Sequence, residues 1–214
     1  MILLDGQILM TSAARRSEEA LATLACSQLP RRRAPRVLIG GLGMAYTLRA
    51  ALDALPEKAQ LLVAELHAVV VAWCRGPLAE LTGGAVFDPR ATLRQVDVAH
   101  VIDAGSGRPW DGILLDLFRG PGTRSDDLHF GSAALERTRA ALCEGGVLGV
   151  WTEQHDPSFG KRARKAGFQV DRHRPGKGGL RHVVYIARAG GIRAASTRGD
   201  RRRGPGPRRR SSSR

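Results

Sequence analysis

Residues 36–45 read RVLIGGLGMA, an apolar run that ends in a cluster of glycines. A short apolar run stopped by glycines is typical of a buried strand followed by a tight turn. After it, Leu48, Leu52 and Leu55 recur at helical spacing before Pro56, which predicts a helix that the proline ends. A strand, a glycine turn and a helix in this order predict the start of a βαβ unit.

The same alternation continues towards the C-terminus. Strands are predicted at 61–66, 91–96, 112–115 and 147–152, helices at 68–75, 132–143 and 159–166, a turn at 144–146, and a final antiparallel pair at 168–173 and 182–187. Short strands that alternate with helices predict an α/β fold with a mostly parallel sheet covered on both faces.

We divide the chain into three segments. Residues 1–34 are predicted to hold a hairpin at Asp5-Gly6, a helix and an Arg-rich linker; residues 35–187 form the nucleotide-binding domain; residues 188–214 form a disordered tail. The tail carries ten arginines and one aspartate, so non-specific contact with RNA through this tail is one expectation. No aromatic residues lie among these arginines, so the charge does not define the function.

The composition excludes several classes of protein. With 214 residues, 43% hydrophobic and 25% charged, the chain is expected to be globular. No apolar stretch approaches the roughly 18–20 residues of a membrane span, and the N-terminus lacks the pattern of a signal peptide. Its three cysteines and six histidines show no disulfide or metal-ligand spacing. We therefore expect a cytoplasmic protein without a metal site or membrane contact.

Four consecutive strand ends carry glycines or an acid: Gly40, Gly41 and Gly43, then Glu65, Asp97 and Asp116. Ligands of open parallel sheets bind beyond these ends, so we expect one shared site. The glycines permit close approach of a ligand, and Glu65 is spaced to accept hydrogen bonds from a ribose. Asp97 suits an adenine amine, while Asp116 suits an ammonium or the role of general base towards an amine.

Other interpretations of these residues stay open. An NAD-dependent dehydrogenase would use the same glycine turn and Glu65, although Tyr46 stands where its motif favours a third small residue. Asp97 and Asp116 are also of the residue type that caps a helix after a strand.

Segments spread over residues 2–187 resemble the spermidine synthase (polyamine aminopropyltransferase) family, within the class I S-adenosylmethionine-dependent methyltransferase fold. They are residues 4–6, 18–21, 37–49, 65, 88–90, 97, 110–116 and 144–148, in that order. The resemblance implies a Rossmann-like, seven-stranded sheet with an antiparallel last strand. It implies that S-adenosylmethionine or its decarboxylated form binds across the strand ends, with Glu65 on ribose, Asp97 on adenine and Asp116 assisting deprotonation of the amine.

The chain departs from the family pattern on the acceptor side. The acid of the glycine turn is replaced by Gly43 or Met44, and Arg119 stands where a second acid is expected. A tyrosine–histidine pair of the family is replaced by Ser17-Glu18. Glu153-Gln154, after the fifth strand of the nucleotide-binding domain, are expected near the acceptor.

The expected protein is thus a transferase of polyamine biosynthesis type that moves an aminopropyl or methyl group to a small-molecule amine. One alternative is a methyltransferase on another, acidic acceptor, suggested by Arg119, Arg124 and the basic helix at 159–166. Another is an inactive nucleotide-binding protein with an RNA-contacting tail. The sequence does not decide which acceptor is used, which sulfonium is the donor, or whether the protein forms a homodimer.

Overall fold

The structure, a computed structural model, describes residues 2–4, 7–10, 15–105, 107–117, 129–175 and 182–190. Its helices are α1 (Arg16–Cys26), α2 (Tyr46–Ala54), α3 (Ala68–Arg75), α4 (Val98–Ala104), α5 (Ser132–Ala141) and α6 (Phe159–Lys165). Its strands are β1 (Ile2–Leu4), β2 (Gln7–Met10), β3 (Arg36–Gly40), β4 (Gln60–Glu65), β5 (Ala91–Gln95), β6 (Trp110–Leu115), β7 (Leu142–Thr152), β8 (Phe168–His173) and β9 (Val183–Ala189). Short 3₁₀ helices lie at Ala79–Thr82 and Ala85–Phe87.

β1 and β2 form the predicted antiparallel hairpin, and the other strands form a seven-stranded sheet. Its order is β5-β4-β3-β6-β7-β9-β8, and β9 runs antiparallel to both of its neighbours. The chain builds outward from β3 to β5 and then returns to place β6 on the other side of β3. This reversal is the point at which open α/β sheets bind ligands, and the glycine turn and Asp116 lie there.

The core consists of two apolar layers, one on each face of the sheet. Along β3, Val37 and Ile39 face the layer that holds α1 and α2, while Leu38 faces the layer that holds α4, α5 and α6. All six residues of β6 are buried. A strand that is covered on both faces is mostly apolar, which is why residues 37–39 of β3 and 113–115 of β6 read as continuous hydrophobic runs. The exception in β6 is Asp111, which is buried but paired with Arg32 and with the Arg36 N–H.

Helix α1 is part of this core, although it lies in the segment that was predicted to precede the nucleotide-binding domain. It packs against α2, β7 and β9. Gly149 of β7 makes the close approach possible, because a Cβ at this position would lie 2.9 Å from Leu21 of α1 and 2.9 Å from Leu114 of β6. The absence of a side chain at Gly149 therefore allows α1 to pack directly against the sheet.

The α/β fold and the seven-stranded sheet with its antiparallel last strand are confirmed. The helix predicted over 132–143 ends earlier, at Ala141, and the turn predicted at 144–146 lies inside β7. Gly145 has φ +71° and the pairing with β6 shifts register opposite it, so the chain forms a bulge here rather than a turn. Helix α4 was not predicted.

The ends of the chain are only partly described. Strand β9 continues to Ala189, so ordered strand extends into the segment predicted as tail. Residues 176–181 and 191–214 lie outside the described residues. Within the part of the chain that is described, no helix has the length and apolarity to cross a bilayer.

Replacing Gly149 with valine should destabilise the protein by about 1–3 kcal/mol, because the new side chain would overlap Leu21 and Leu114. Chemical denaturation measures the change. Gly160→Ala is the control, since its Cβ meets only the end of the Arg164 side chain and its stability should stay within about 1 kcal/mol of wild type. Equal stability of the two variants would contradict this account of how α1 is seated.

Candidate functional site

The candidate site lies at the carboxyl ends of β3, β4 and β6. The Gly41 N–H donates to the carbonyl oxygen of Ala64 at 2.9 Å, and the Asp116 N–H donates to the carbonyl of Gly40 at 2.9 Å. The glycine turn is thus fixed on both sides by the strands that flank β3.

The turn passes very close to the end of β6. A Cβ at Gly41, which has φ +87°, would lie 2.2 Å from the carbonyl oxygen of Asp116. Ala45, at the end of the turn, has φ +64°, the one positive φ of a non-glycine residue among those described. This conformation is unfavourable for alanine, so the turn carries local strain where the resemblance places a ligand.

Gly40 serves a different contact. A Cβ there would lie 2.8 Å from Cγ2 of Val98, the first residue of α4. Gly40 therefore lets the start of α4, and with it Asp97, approach the turn.

Glu65 fastens the turn to the end of β4. One carboxylate oxygen accepts the Leu42 N–H at 2.9 Å, and the other accepts the His67 N–H at 2.8 Å. The side chain is buried, with 7% of its surface exposed. An ionised carboxylate has about four acceptor positions, so each oxygen can still accept one more hydrogen bond.

Asp116 is partly buried beside the first turn of α2. Its Oδ2 accepts the hydroxyl of Thr47 at 2.6 Å. Burial raises the pKa of Asp116 to about 7; the Thr47 hydrogen bond acts to lower it, and the negative charge of Glu18 adds to the increase. At neutral pH both the acid and the carboxylate are therefore populated.

A second carboxylate, Glu18 of α1, lies in this part of the molecule with only 7% of its surface exposed. Its Oε2 accepts the Ser17 hydroxyl at 2.6 Å, and Ser17 Oγ lies 2.9 Å from Nδ1 of His182. Since the Ser17 hydrogen points to Glu18, this contact fits a His182 tautomer that carries its proton on Nδ1. The His182 ring meets Trp151 edge-on, with 4.8 Å between ring centroids.

Asp97 takes the capping role that the sequence analysis left open. Its Oδ1 accepts the Ala99 N–H at 2.8 Å, which caps α4, and lies 3.1 Å from Nε2 of His129. Burial acts to raise the pKa of Asp97, but the bonds from Ala99 and His129 outweigh it and the net pKa is lowered. Asp97 is the predicted residue that does not contact the turn itself; its neighbour Val98 packs against Gly40 instead.

The structure thus brings the glycine turn, Glu65 and Asp116 into direct contact. Glu18 and Thr47 were not predicted as site residues. Glu18 lies in a segment that resembles the family and at a position that departs from its pattern, but neither gave it a role, and a threonine inside a helix gives no pattern that points to a site. Glu153 and Gln154 are exposed, and Arg119 and Arg124 lie outside the described residues.

Nowhere among the described residues do three or more His, Cys, Asp or Glu side chains gather as metal ligands would.

No protein-family model matches the sequence, and no curated protein matches it. Solved structures do. A spermidine synthase from Thermotoga maritima superposes with a TM-score of 0.71 and 22% identity, covering 88% of this chain and 65% of that one. A spermidine synthase in complex with the transition-state analogue AdoDATO gives 0.69 and 23%, covering 88% and 64%.

Methyltransferases are similar to the chain as well. Human methyltransferase-like protein 13 in complex with SAH gives a TM-score of 0.59 at 16% identity, covering 87% of this chain and 85% of that one. The chain spans about two thirds of the length of the spermidine synthases. These similarities show that the chain has the Rossmann-like fold that spermidine synthases share with methyltransferases.

Gly41→Ala should destabilise the protein by at least about 3 kcal/mol, because the methyl group would overlap the Asp116 carbonyl in addition to the cost of the positive φ. Gly83 offers a matched control, since it also has a positive φ, +55°, but open space around it. Gly83→Ala should cost only about 1–2 kcal/mol. Thermal and chemical unfolding measure both changes, and a Gly41→Ala variant as stable as Gly83→Ala would refute the close approach.

Proposed function

We propose that this protein is an alkyltransferase that takes a methyl or aminopropyl group from S-adenosylmethionine or its decarboxylated form and transfers it to an amine. The observation that carries the proposal is the environment of Asp116. Asp116 lies at the topological switch point of the sheet, its backbone carbonyl meets the glycine turn, its carboxyl group accepts the Thr47 hydroxyl, and its pKa is raised to about 7. The fold shared with spermidine synthases and methyltransferases supports it.

The residues of the turn fit the adenosyl half of such a donor. Gly41 lets the turn pass against the Asp116 carbonyl, which fixes the backbone that would meet the ligand. Glu65 has acceptor positions left for ribose hydroxyls, and its hydrogen bond to Leu42 holds it against the turn. We assign adenine recognition to Asp97, whose Oδ2 is not used by the cap of α4.

The acids around Asp116 fit a cationic acceptor. Glu18 and Asp116 come from α1 and the end of β6, and the negative charge of Glu18 is felt at Asp116. Two carboxylates in a partly buried site attract an ammonium group and disfavour an acidic acceptor. This arrangement favours an amine over the acidic acceptor of the alternative interpretation.

Asp116 then acts on the proton of the amine. When bound, the sulfonium donor supplies an alkyl carbon that its positively charged sulfur has already activated. Asp116 accepts the proton that the acceptor nitrogen loses as its bond to this carbon forms and the carbon–sulfur bond breaks. A carboxyl group with a pKa near 7 is suited to this, because an ordinary aspartate is too weak a base.

Calorimetry with S-adenosylmethionine, its decarboxylated form and methylthioadenosine tests donor binding. Glu65→Ala should weaken binding of the preferred ligand by about 1–3 kcal/mol, because ribose hydrogen bonds are lost and the turn is no longer fastened. Glu80→Ala, which removes an exposed glutamate, is the control and should bind as wild type does. If none of the three ligands binds the wild-type protein, the site is an inactive pocket and the proposal fails.

Asp116→Asn should lower turnover by about 10²–10⁴-fold and leave nucleotide affinity almost unchanged. In the wild type, turnover should rise with pH and level off above about 7, where Asp116 is ionised. The assay follows release of the demethylated or dealkylated nucleotide, with short diamines as acceptors. Asp171→Asn, on the exposed side of β8, is the matched control. An Asp116→Asn variant with wild-type turnover would reject the role of base.

A further inference from the structure

The hydroxyl of Thr47 has a position that its place in a helix does not require. Thr47 is the second residue of α2, directly after the glycine turn, and only 2% of its surface is exposed. Its Oγ1 lies 2.6 Å from Oδ2 of Asp116 and 3.4 Å from the carbonyl oxygen of Glu18. A hydroxyl has one hydrogen, so it donates to one of these two acceptors at a time.

We infer that Thr47 is a positioning residue that holds the Asp116 carboxylate in place and follows its change of protonation. The role of Thr47 in catalysis rests on the proposed function. The movement of its hydrogen bond from the Asp116 carboxylate to the Glu18 carbonyl, when Asp116 is protonated, does not. This movement follows from the positions of three oxygen atoms: the buried Thr47 Oγ1 lies between Oδ2 of Asp116 and the backbone carbonyl oxygen of Glu18.

The exchange leaves no buried polar group unpaired in either state. When Asp116 is ionised, the Thr47 hydroxyl donates to Oδ2, at the short distance of 2.6 Å. When Asp116 gains a proton, its own O–H can donate to Thr47 Oγ1, and the threonine hydrogen can turn to the Glu18 carbonyl. A valine in place of Thr47 would have the same shape but would leave the Asp116 carboxylate without this donor.

Thr47 also opposes the effect of a neighbouring negative charge on the ionisation of Asp116. From α1, the Glu18 carboxylate acts against ionisation of Asp116, and the Thr47 hydroxyl from α2 favours it. Glu18 is itself held by Ser17, which contacts His182 at the start of β9. From the glycine turn, the Gly40 carbonyl is occupied by the Asp116 N–H. Among the described elements, Thr47 is therefore the donor that stabilises the ionised carboxyl.

In the proposed reaction this pair accounts for every proton. The acceptor nitrogen loses its proton to Asp116 as the nitrogen–carbon bond forms and the carbon–sulfur bond breaks. With this proton on Oδ2, the Asp116 O–H donates to Thr47 Oγ1 and the Thr47 hydrogen rotates to the Glu18 carbonyl. Thr47 gains and loses no proton overall. Its contribution is to keep Oδ2 oriented in both states.

The test is a titration of Asp116 in the ligand-free protein. Carboxyl resonances of protein labelled with ¹³C-aspartate are followed against pH, and Asp116→Asn identifies the resonance. Thr47→Val should move the midpoint upward by about one pH unit, the value of one lost hydrogen bond to a charged group. Thr47→Ser keeps the hydroxyl and should titrate as wild type does. Glu18→Gln removes the opposing charge and should move the midpoint downward.

An unchanged midpoint in a folded Thr47→Val protein would overturn the inference, as would Thr47→Ser and Thr47→Val shifting by the same amount. Should the valine variant not fold, Thr47→Ala gives the same comparison. Where turnover is observed, its rise with pH should shift with the titration midpoint in each variant. A shifted titration in a protein that binds none of the tested nucleotides would uphold the role of Thr47 and refute the proposed function.

Discussion

The contact between Gly41 and the carbonyl of Asp116 is the constraint on which the site depends. Because the two backbones meet without a side chain between them, the first turn of α2 is brought against the end of β6. Thr47 can then reach Asp116, and Glu65 can reach the turn from the other flank through Leu42. A larger residue at Gly41 would separate all of these groups at once.

The two best-placed acids of the site serve different purposes. Glu65 gives both oxygens to backbone N–H groups and so holds the turn in its conformation. Burial, and secondly the nearby acid Glu18, raise the pKa of Asp116 to about 7 against a single hydroxyl donor, so this carboxyl group can gain or lose its proton near neutral pH. Glu65 thus stabilises the conformation of the turn, and Asp116 can change its protonation state. This division is the physical basis of the proposed chemistry.

Most of the fold could be predicted from the sequence, because parallel strands that are covered on both faces are mostly apolar, as residues 37–39 of β3 and 113–115 of β6 are. The bulge in β7 could not, since Glu144-Gly145-Gly146 has the composition of a turn and only pairing with β6 decides otherwise. The glycine turn, Glu65 and Asp116 were predicted as site residues from their place after strands. Glu18 and Thr47 were not, because they lie on helices and join the site only through tertiary packing.

Cys74 of α3 lies directly behind the turn and donates its thiol to the carbonyl of Gly43 at 3.2 Å. Burial, and secondly the charge of Glu65, raise the pKa of this thiol to about 11. At neutral pH, on the order of one molecule in ten thousand then carries a thiolate. The proposed sulfonium donor is an electrophile that a nearby thiolate would attack, and a thiol kept protonated in this way is protected from that reaction.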